Sequence, residues 1–211
     1  MLNLSCFDKD DVHILEASYN AIRQKVNLEI IQDETTKQLF RDKFVRILSV
    51  STDASLSIQN LFKIKNSTCS VYISQCLIDF GYPVSPKLVQ LHDRVYHYQI
   101  IGYAISKVDL GNTILRPESK ADRLISRFVN SDIDFEASSH FSEKYYLTSS
   151  SRLTIEKHFN KGFVDTIAKY DNVHLLTKGN EIFIMFDTEV QPYHSRAIEE
   201  ILFSYKALAT F

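Results

Sequence analysis

Apolar positions along this chain change their period from one stretch to the next. Val12, Leu15, Tyr19, Ile22, Val26 and Ile30 recur at three- and four-residue spacing, which places them on one face of a helix. Asp8 stands where an N-cap is expected, and Asp10 and Asp11 suit the positive end of the helix dipole. A second helix is predicted from Asp33, burying Leu39, Phe40, Phe44, Ile47 and Leu48. The stripe from Val12 to Val26 covers about two heptads, short of what a coiled coil sustains. It reads as a face packed on the protein's own core, with self-association as the alternative.

Ser49 to Ser57 is small and polar, a natural boundary between a helical N-terminal region (1–50) and an α+β domain (51–211), or an internal loop of one continuous domain. Val71 to Phe80 is apolar and β-branched and reads as a strand or a short helix. Gly81, Pro83 and Pro86 then interrupt the chain. Ser85-Pro86 has the form of a helix start, followed by Leu88, Leu91 and Val95 in helical phase. From Tyr96 to Val108 the pattern predicts a strand. A single long helix is the competing reading, in which Gly102 would cost about 1 kcal/mol.

In the last third, Pro117 is expected to open a helix that buries Leu124, Ile125 and Phe128. Glu143 to Leu147 reads as a strand. Ser149, Ser150 and Ser151 offer caps for a long helix carrying Leu153, Ile155, Phe159, Phe163 and Ile167. Val173 to Thr177 and Ile182 to Phe186 are predicted strands joined by a hairpin turn at Lys178-Gly179-Asn180. Pro192 leads into a final helix with Ile198, Ile201, Leu202 and Leu208. The fold class implied is α+β: a helical N-terminal region, then an antiparallel or mixed sheet with helices packed on it.

Composition narrows the function. The chain has 211 residues, a formal charge of -2 and 24% charged residues, which argues against an electrostatic grip on nucleic acid. Five Gly leave no phosphate-cradling loop, and no nucleotide-binding glycine motif occurs. Cys6, Cys69 and Cys76 are too few and too scattered for a disulfide framework, so reduced thiols and a cytoplasmic setting are expected. The first eleven residues do not read as a signal peptide, and no run of apolar residues is long enough for a membrane span.

Arg116-Pro117-Glu118, the amphipathic run after it, Ile133-Asp134-Phe135, Phe141-Ser142, Tyr145 and the closing helix–hairpin–helix resemble an uncharacterised bacterial family. Its members carry the same Arg-Pro-Glu turn, Asp-Phe step, Phe-Ser step and Tyr-containing strand. The likeness runs from about Tyr96 to Leu208 and implies a shared α+β fold. It carries over no catalytic residue or cofactor. Many members have N-terminal membrane helices, and this chain has none.

Several residues invite chemistry. Asp132, Asp134 and Glu136 alternate, so on a strand they share a face and offer a hard cation three carboxylates. Glu143 stands at the spacing of a calcium loop, but Ala137 occupies the position that needs Gly. The plainer reading is a solvated acidic turn with Phe135 anchored in the core. His140, with His158 after Glu156, offers a general acid–base partner to Asp134 and Glu136. No His-Glu-x-x-His occurs among the seven histidines, and His92 and His97 have the wrong spacing for one helix face. Arg116 reads equally as a clamp on a carboxylate such as Asp134 or as a solvent-exposed side chain without a role. Tyr96, Tyr98, Tyr103, Tyr145 and Tyr146 offer either a stacking platform or a sheet face under helices.

The leading expectation is a soluble, non-catalytic protein-interaction or regulatory module without a cofactor. Its partner, a protein or a second copy, would use the N-terminal helices through Tyr19, Ile22 and Val26. Neither nucleic acid nor membrane is expected as a partner. The alternatives are a metal-assisted hydrolase centred on Asp132, Asp134, Glu136 and His140, and a small-ligand binder with a Tyr-lined pocket around Tyr96 to Tyr103.

Overall fold

The computed structural model describes residues 2, 9–24, 26–48, 55–65, 69–79, 96–119, 132–135 and 138–208. Within them the elements run α1 (Lys9–Arg23), β1 (Leu28–Ile31), α2 (Glu34–Leu48), β2 (Ser55–Lys65), β3 (Ser70–Asp79), β4 (Tyr96–Ile105), β5 (Asn112–Pro117), α3 (Ser139–Lys144), β6 (Tyr145–Ser149), α4 (Arg152–His158), α5 (Lys161–Ala168), β7 (Val173–Lys178), β8 (Glu181–Phe186) and α6 (His194–Ser204). All eight strands join one antiparallel sheet in the order β1-β2-β3-β4-β8-β7-β5-β6. The fold is α+β, as the sequence pattern implies. No helix among the described residues is long and apolar enough to cross a membrane.

Successive strand residues point to opposite faces, so the sheet carries two apolar layers. On the inner face Val71, Ile73, Leu115, Leu147, Leu175 and Ile184 belong to one core with Leu15 and Ile22 of α1, Phe163 and Ile167 of α5, and Ile198 and Leu202 of α6. On the outer face Tyr72, Cys76, Ile101, Tyr103 and Phe183 are covered by α2 through Phe40 and Phe44. Phe44 has no exposed surface and meets Phe40 and Phe183 edge to face, with centroids 6.0 and 5.7 Å away. Gly102 of β4 lets α6 lie close to the sheet. A Cβ there would stand 2.1 Å from Ile198 Cγ2, a contact that no ordered side chain tolerates.

Buried amides hold α1 in place. Asn60 Nδ2 donates to Gln75 Oε1 (2.9 Å), and Gln75 Nε2 donates to the Leu15 carbonyl (3.1 Å). The hydroxyls of Ser18 in α1 and Ser195 in α6 are hydrogen-bonded to each other. β1 pairs with β2 across the polar stretch read as a boundary, so residues 28–31 and the following strands share one sheet.

Several elements differ from the sequence pattern. The helical phase ends at Arg23, and Ile30 lies in β1, because its backbone groups pair with Phe62 of β2. Leu39 is 54% exposed although Phe40 and Phe44 are buried, since α2 turns only one face inward. Ser70–Asp79 and Tyr96–Ile105 are strands, which removes the helical alternatives there. β2 escaped the pattern because a bulge between Ile58 and Asn60 breaks its alternation. Pro117 ends β5 opposite Tyr145 instead of opening a helix. A short helix, Ser139–Lys144, occupies the start of the strand expected from Glu143. The single long helix expected after Ser151 is two, split where the Asn160 side chain accepts from the Phe163 N–H and caps α5. Leu153 is therefore on the outside, 82% exposed. The expected helices over 86–95 and 117–130 fall, from residue 120 on in the second case, outside the described residues.

The β7–β8 hairpin follows its signal. Gly179, with φ of +63°, occupies the left-handed position of a two-residue turn closed by Lys178 and Glu181. Replacing Phe44 by Ala is expected to lower unfolding stability by about 3–5 kcal/mol, whereas Leu39→Ala changes it by less than about 0.5 kcal/mol. Urea unfolding of both variants checks the contrast.

Candidate functional site

The acidic segment lies along the outer edge of β6. The Ile133 N–H donates to the Leu147 carbonyl at 2.8 Å, as a neighbouring strand would. Asp132 supplies the complementary bond: its Oδ1 accepts from the Leu147 N–H (2.8 Å) and from its own neighbour's N–H at Ile133 (2.9 Å). On the other side of β6, Glu118 extends the pairing with β5, its N–H donating to the Lys144 carbonyl at 2.9 Å. Arg152 of α4 donates from Nη1 to the Asp132 carbonyl at 3.2 Å. One carboxylate and one residue of backbone thus stand in for a ninth strand beside Leu147.

Asp132 is 8% exposed, so it does not sit on a solvated turn, whereas Asp134 is exposed. Burial, with the nearby carboxylates of Asp134 and Glu118, pushes the Asp132 carboxyl above its ordinary value, against the backbone N–H groups that favour its charge. Phe135 is half-buried and packs edge to face on Phe141 at 5.6 Å. Glu136 lies outside the described residues. His140 is exposed and His158 half-buried. Among the described residues no group of three His, Cys, Asp or Glu side chains is placed to hold a metal ion. Asp134 and Glu118 act on Asp132 through their charge. The position of Glu118 follows from the β5–β6 pairing and has no local signal in the sequence.

The tyrosines divide between the two faces. Tyr103 is buried under α2, and Tyr98 packs toward the inner core. Tyr145, also buried in the inner core, donates to the Tyr170 carbonyl (2.6 Å) and accepts from the Val173 N–H (3.3 Å). The side chain of Tyr96 is outside the described set. Tyr103 takes part in a cluster that the sequence does not announce. Its hydroxyl accepts from Lys43 Nζ (3.0 Å) and donates to Glu181 Oε1 (2.9 Å), while Lys43 also bonds Glu181 directly. Burial, then the Glu181 carboxylate, raise the Tyr103 phenol far above its ordinary range. Burial works against the Glu181 carboxylate, but hydrogen bonds from Lys43 and Tyr103 outweigh it and hold its carboxyl low. A phenol so raised stays protonated near neutral pH and is no general base there. The cluster ties α2 to β4 and β8.

The two titratable groups buried against α6 and β3 are equally quiet. His194 is 2% exposed, stacks on Phe186 with centroids 4.2 Å apart, and is held down to about 4 by burial, so it is neutral at physiological pH. Burial pushes the Cys76 thiol up to about 12, which leaves it inert. The sequence matches no protein-family model, and comparisons with curated proteins and with solved structures found no match.

The outer face changes character beyond α2. Of the described helices, α2 alone contributes to the outer core. Beyond β8, strand pairing sets Ile114 of β5 beside Leu176 of β7, and Leu176 beside Phe183 of β8. The next row holds Tyr146, Arg116, His174 and Met185. The Arg116 guanidinium lies 4.8 Å over the Tyr146 ring. It is near enough to His174 to add to the lowering that burial imposes on that imidazole, against the pull of Asp187. Ile114 is 47% exposed, and Leu176, Tyr146 and Met185 are half-buried. Solvent-facing positions of an antiparallel strand are ordinarily polar, as Thr148, Arg116 and His174 are on this face, whereas Ile114, Leu176 and Met185 are not.

Asp132→Ala leaves the Leu147 N–H without its acceptor and is expected to cost about 1–3 kcal/mol, with Asp132→Asn costing less. Folding raises the Asp132 value, so its contribution is full below the ordinary 3.8 and is lost as pH rises through the raised value. Asn has no such titration. The stability of the natural protein minus that of Asp132→Asn should therefore fall as pH rises just above that range, measured by urea unfolding.

Proposed function

We propose that this protein is a non-catalytic protein-interaction or regulatory module, and that its partner is another protein seated on the outer sheet face at Ile114 and Leu176. The observation that carries this reading is the pair Ile114 and Leu176, side by side and facing outward from β5 and β7. An aliphatic centre flanked by an aromatic ring with an Arg stacked on it has the composition of an interface core. The N-terminal stripe serves this role less well. Ile22 is 1% exposed within the inner core, and Tyr19 packs on Phe62 with centroids 5.4 Å apart. A partner strand adding at β6 is also disfavoured, because Asp132 and Ile133 already occupy the bonding positions beside Leu147. The candidate acid and base groups support the same reading: Asp132 is engaged with backbone N–H groups and the raised Tyr103 phenol with Lys43 and Glu181.

A photo-crosslinking residue at position 114, in the cells that make the protein, tests the reading. It should give one adduct of defined mass that excess unmodified protein competes away and Ile114→Asp does not. The same probe at exposed Lys157 on α4 should give none. Identical patterns from both positions, or competition by Ile114→Asp equal to that by the natural protein, would overturn it.

A further inference from the structure

We infer that the groove between the first turns of α2 and the start of β2 binds a small oxyanion, a carboxylate or phosphate, through the side chain of Arg41. Glu34, Lys37, Gln38 and Arg41 follow the spacing that puts them on one stripe of α2. That stripe faces the start of β2 at residues 55–58, and the groove between them has a volume of about 320 Å³. The volume is at the small end of ligand sites. The site is separate from the face of β5 and β7 and does not depend on that reading.

The wall carries two cations and one carboxylate, and they are unequally placed. Lys37 pairs with Glu34 at 2.7 Å, but the Lys37 side chain is 14% exposed and that of Glu34 83% exposed. The Lys37 stem is covered, and its ammonium is held at the exposed Glu34 carboxylate. Arg41 donates from Nη1 to Gln38 Oε1 at 3.2 Å, while its Nε is buried with no hydrogen-bond partner. Among the described residues no carboxylate pairs with Arg41. A buried guanidinium N–H without an acceptor is an unfavourable arrangement that a bound oxygen relieves. The edge of a guanidinium that includes Nε takes two oxygens of a carboxylate or phosphate side by side.

Calorimetric titration of the full chain with sodium phosphate and with sodium succinate, against sodium chloride at matched ionic strength, tests the site. One of the two oxyanions should bind saturably, and which one does so identifies the class. Arg41→Gln should abolish the binding. Arg41→Lys, which keeps the charge but not the fork, should weaken it about tenfold or more. Backbone amide shifts on titration should cluster at residues 34–41 and 55–58. If Arg41→Gln fails to fold, the Arg41→Lys titration and the shift map decide. Equal effects of chloride and both oxyanions, unchanged affinity in Arg41→Lys, or shifts clustered elsewhere would overturn the assignment.

Discussion

The bond from the Leu147 N–H to the Asp132 carboxylate closes the last strand of the sheet. Eight antiparallel strands leave two edges, and an open edge of unpaired donors and acceptors invites another strand. At β6 the invitation is withdrawn by the carboxylate of Asp132 and the backbone of Ile133. Arg152, reaching back from α4, fixes the segment that provides them. The acidic residues that look most like a reactive cluster are thus partly committed to finishing the sheet. The other edge is β1, four residues long and paired only with β2.

The two faces are unequal for a reason of packing. Helices α1, α5 and α6 converge on the inner face, and Gly102 permits α6 to approach until Ile198 rests on the backbone of β4. The outer face has α2, fastened by Phe40, Phe44 and the Lys43–Tyr103–Glu181 cluster. One helix is about 10 Å wide and strands are about 4.8 Å apart, so a single helix shades two or three strands. The apolar row of Ile114, Leu176 and Phe183 runs out from beneath it, buried at Phe183 and open at Ile114.

Local signals in the sequence carried the fold a long way. The Gly179 turn, the α2 cap at Asp33, whose Oδ2 accepts from the Thr36 N–H at 2.8 Å, and the buried stripe of Leu15 and Ile22 all rest on contacts within a few residues or on simple periodicity. β2 and β5 were harder to see. The bulge after Ile58 shifts the phase of β2, and in β5 polar Thr113 is buried with Leu115 while Ile114 faces outward. Thr113 is tolerated inside because its hydroxyl bonds the Leu110 carbonyl and Ser149 Oγ, both at 2.8 Å. Residues that meet only through the sheet left no trace in spacing. Lys43 and Glu181 are 138 residues apart, and Glu118 reaches Asp132 only because β5 pairs with β6. The alternation of Asp132 and Asp134 was plain, but whether one of them was buried depended on the neighbouring strand.

Amide hydrogen exchange at Leu147 tests most directly whether Asp132 serves the fold in this way. In the natural protein this edge amide should be protected nearly as well as the amides of the β7–β8 hairpin. In Asp132→Ala it should exchange at close to the rate of an open chain while the hairpin stays protected. Unchanged protection at Leu147 after that substitution would contradict the account.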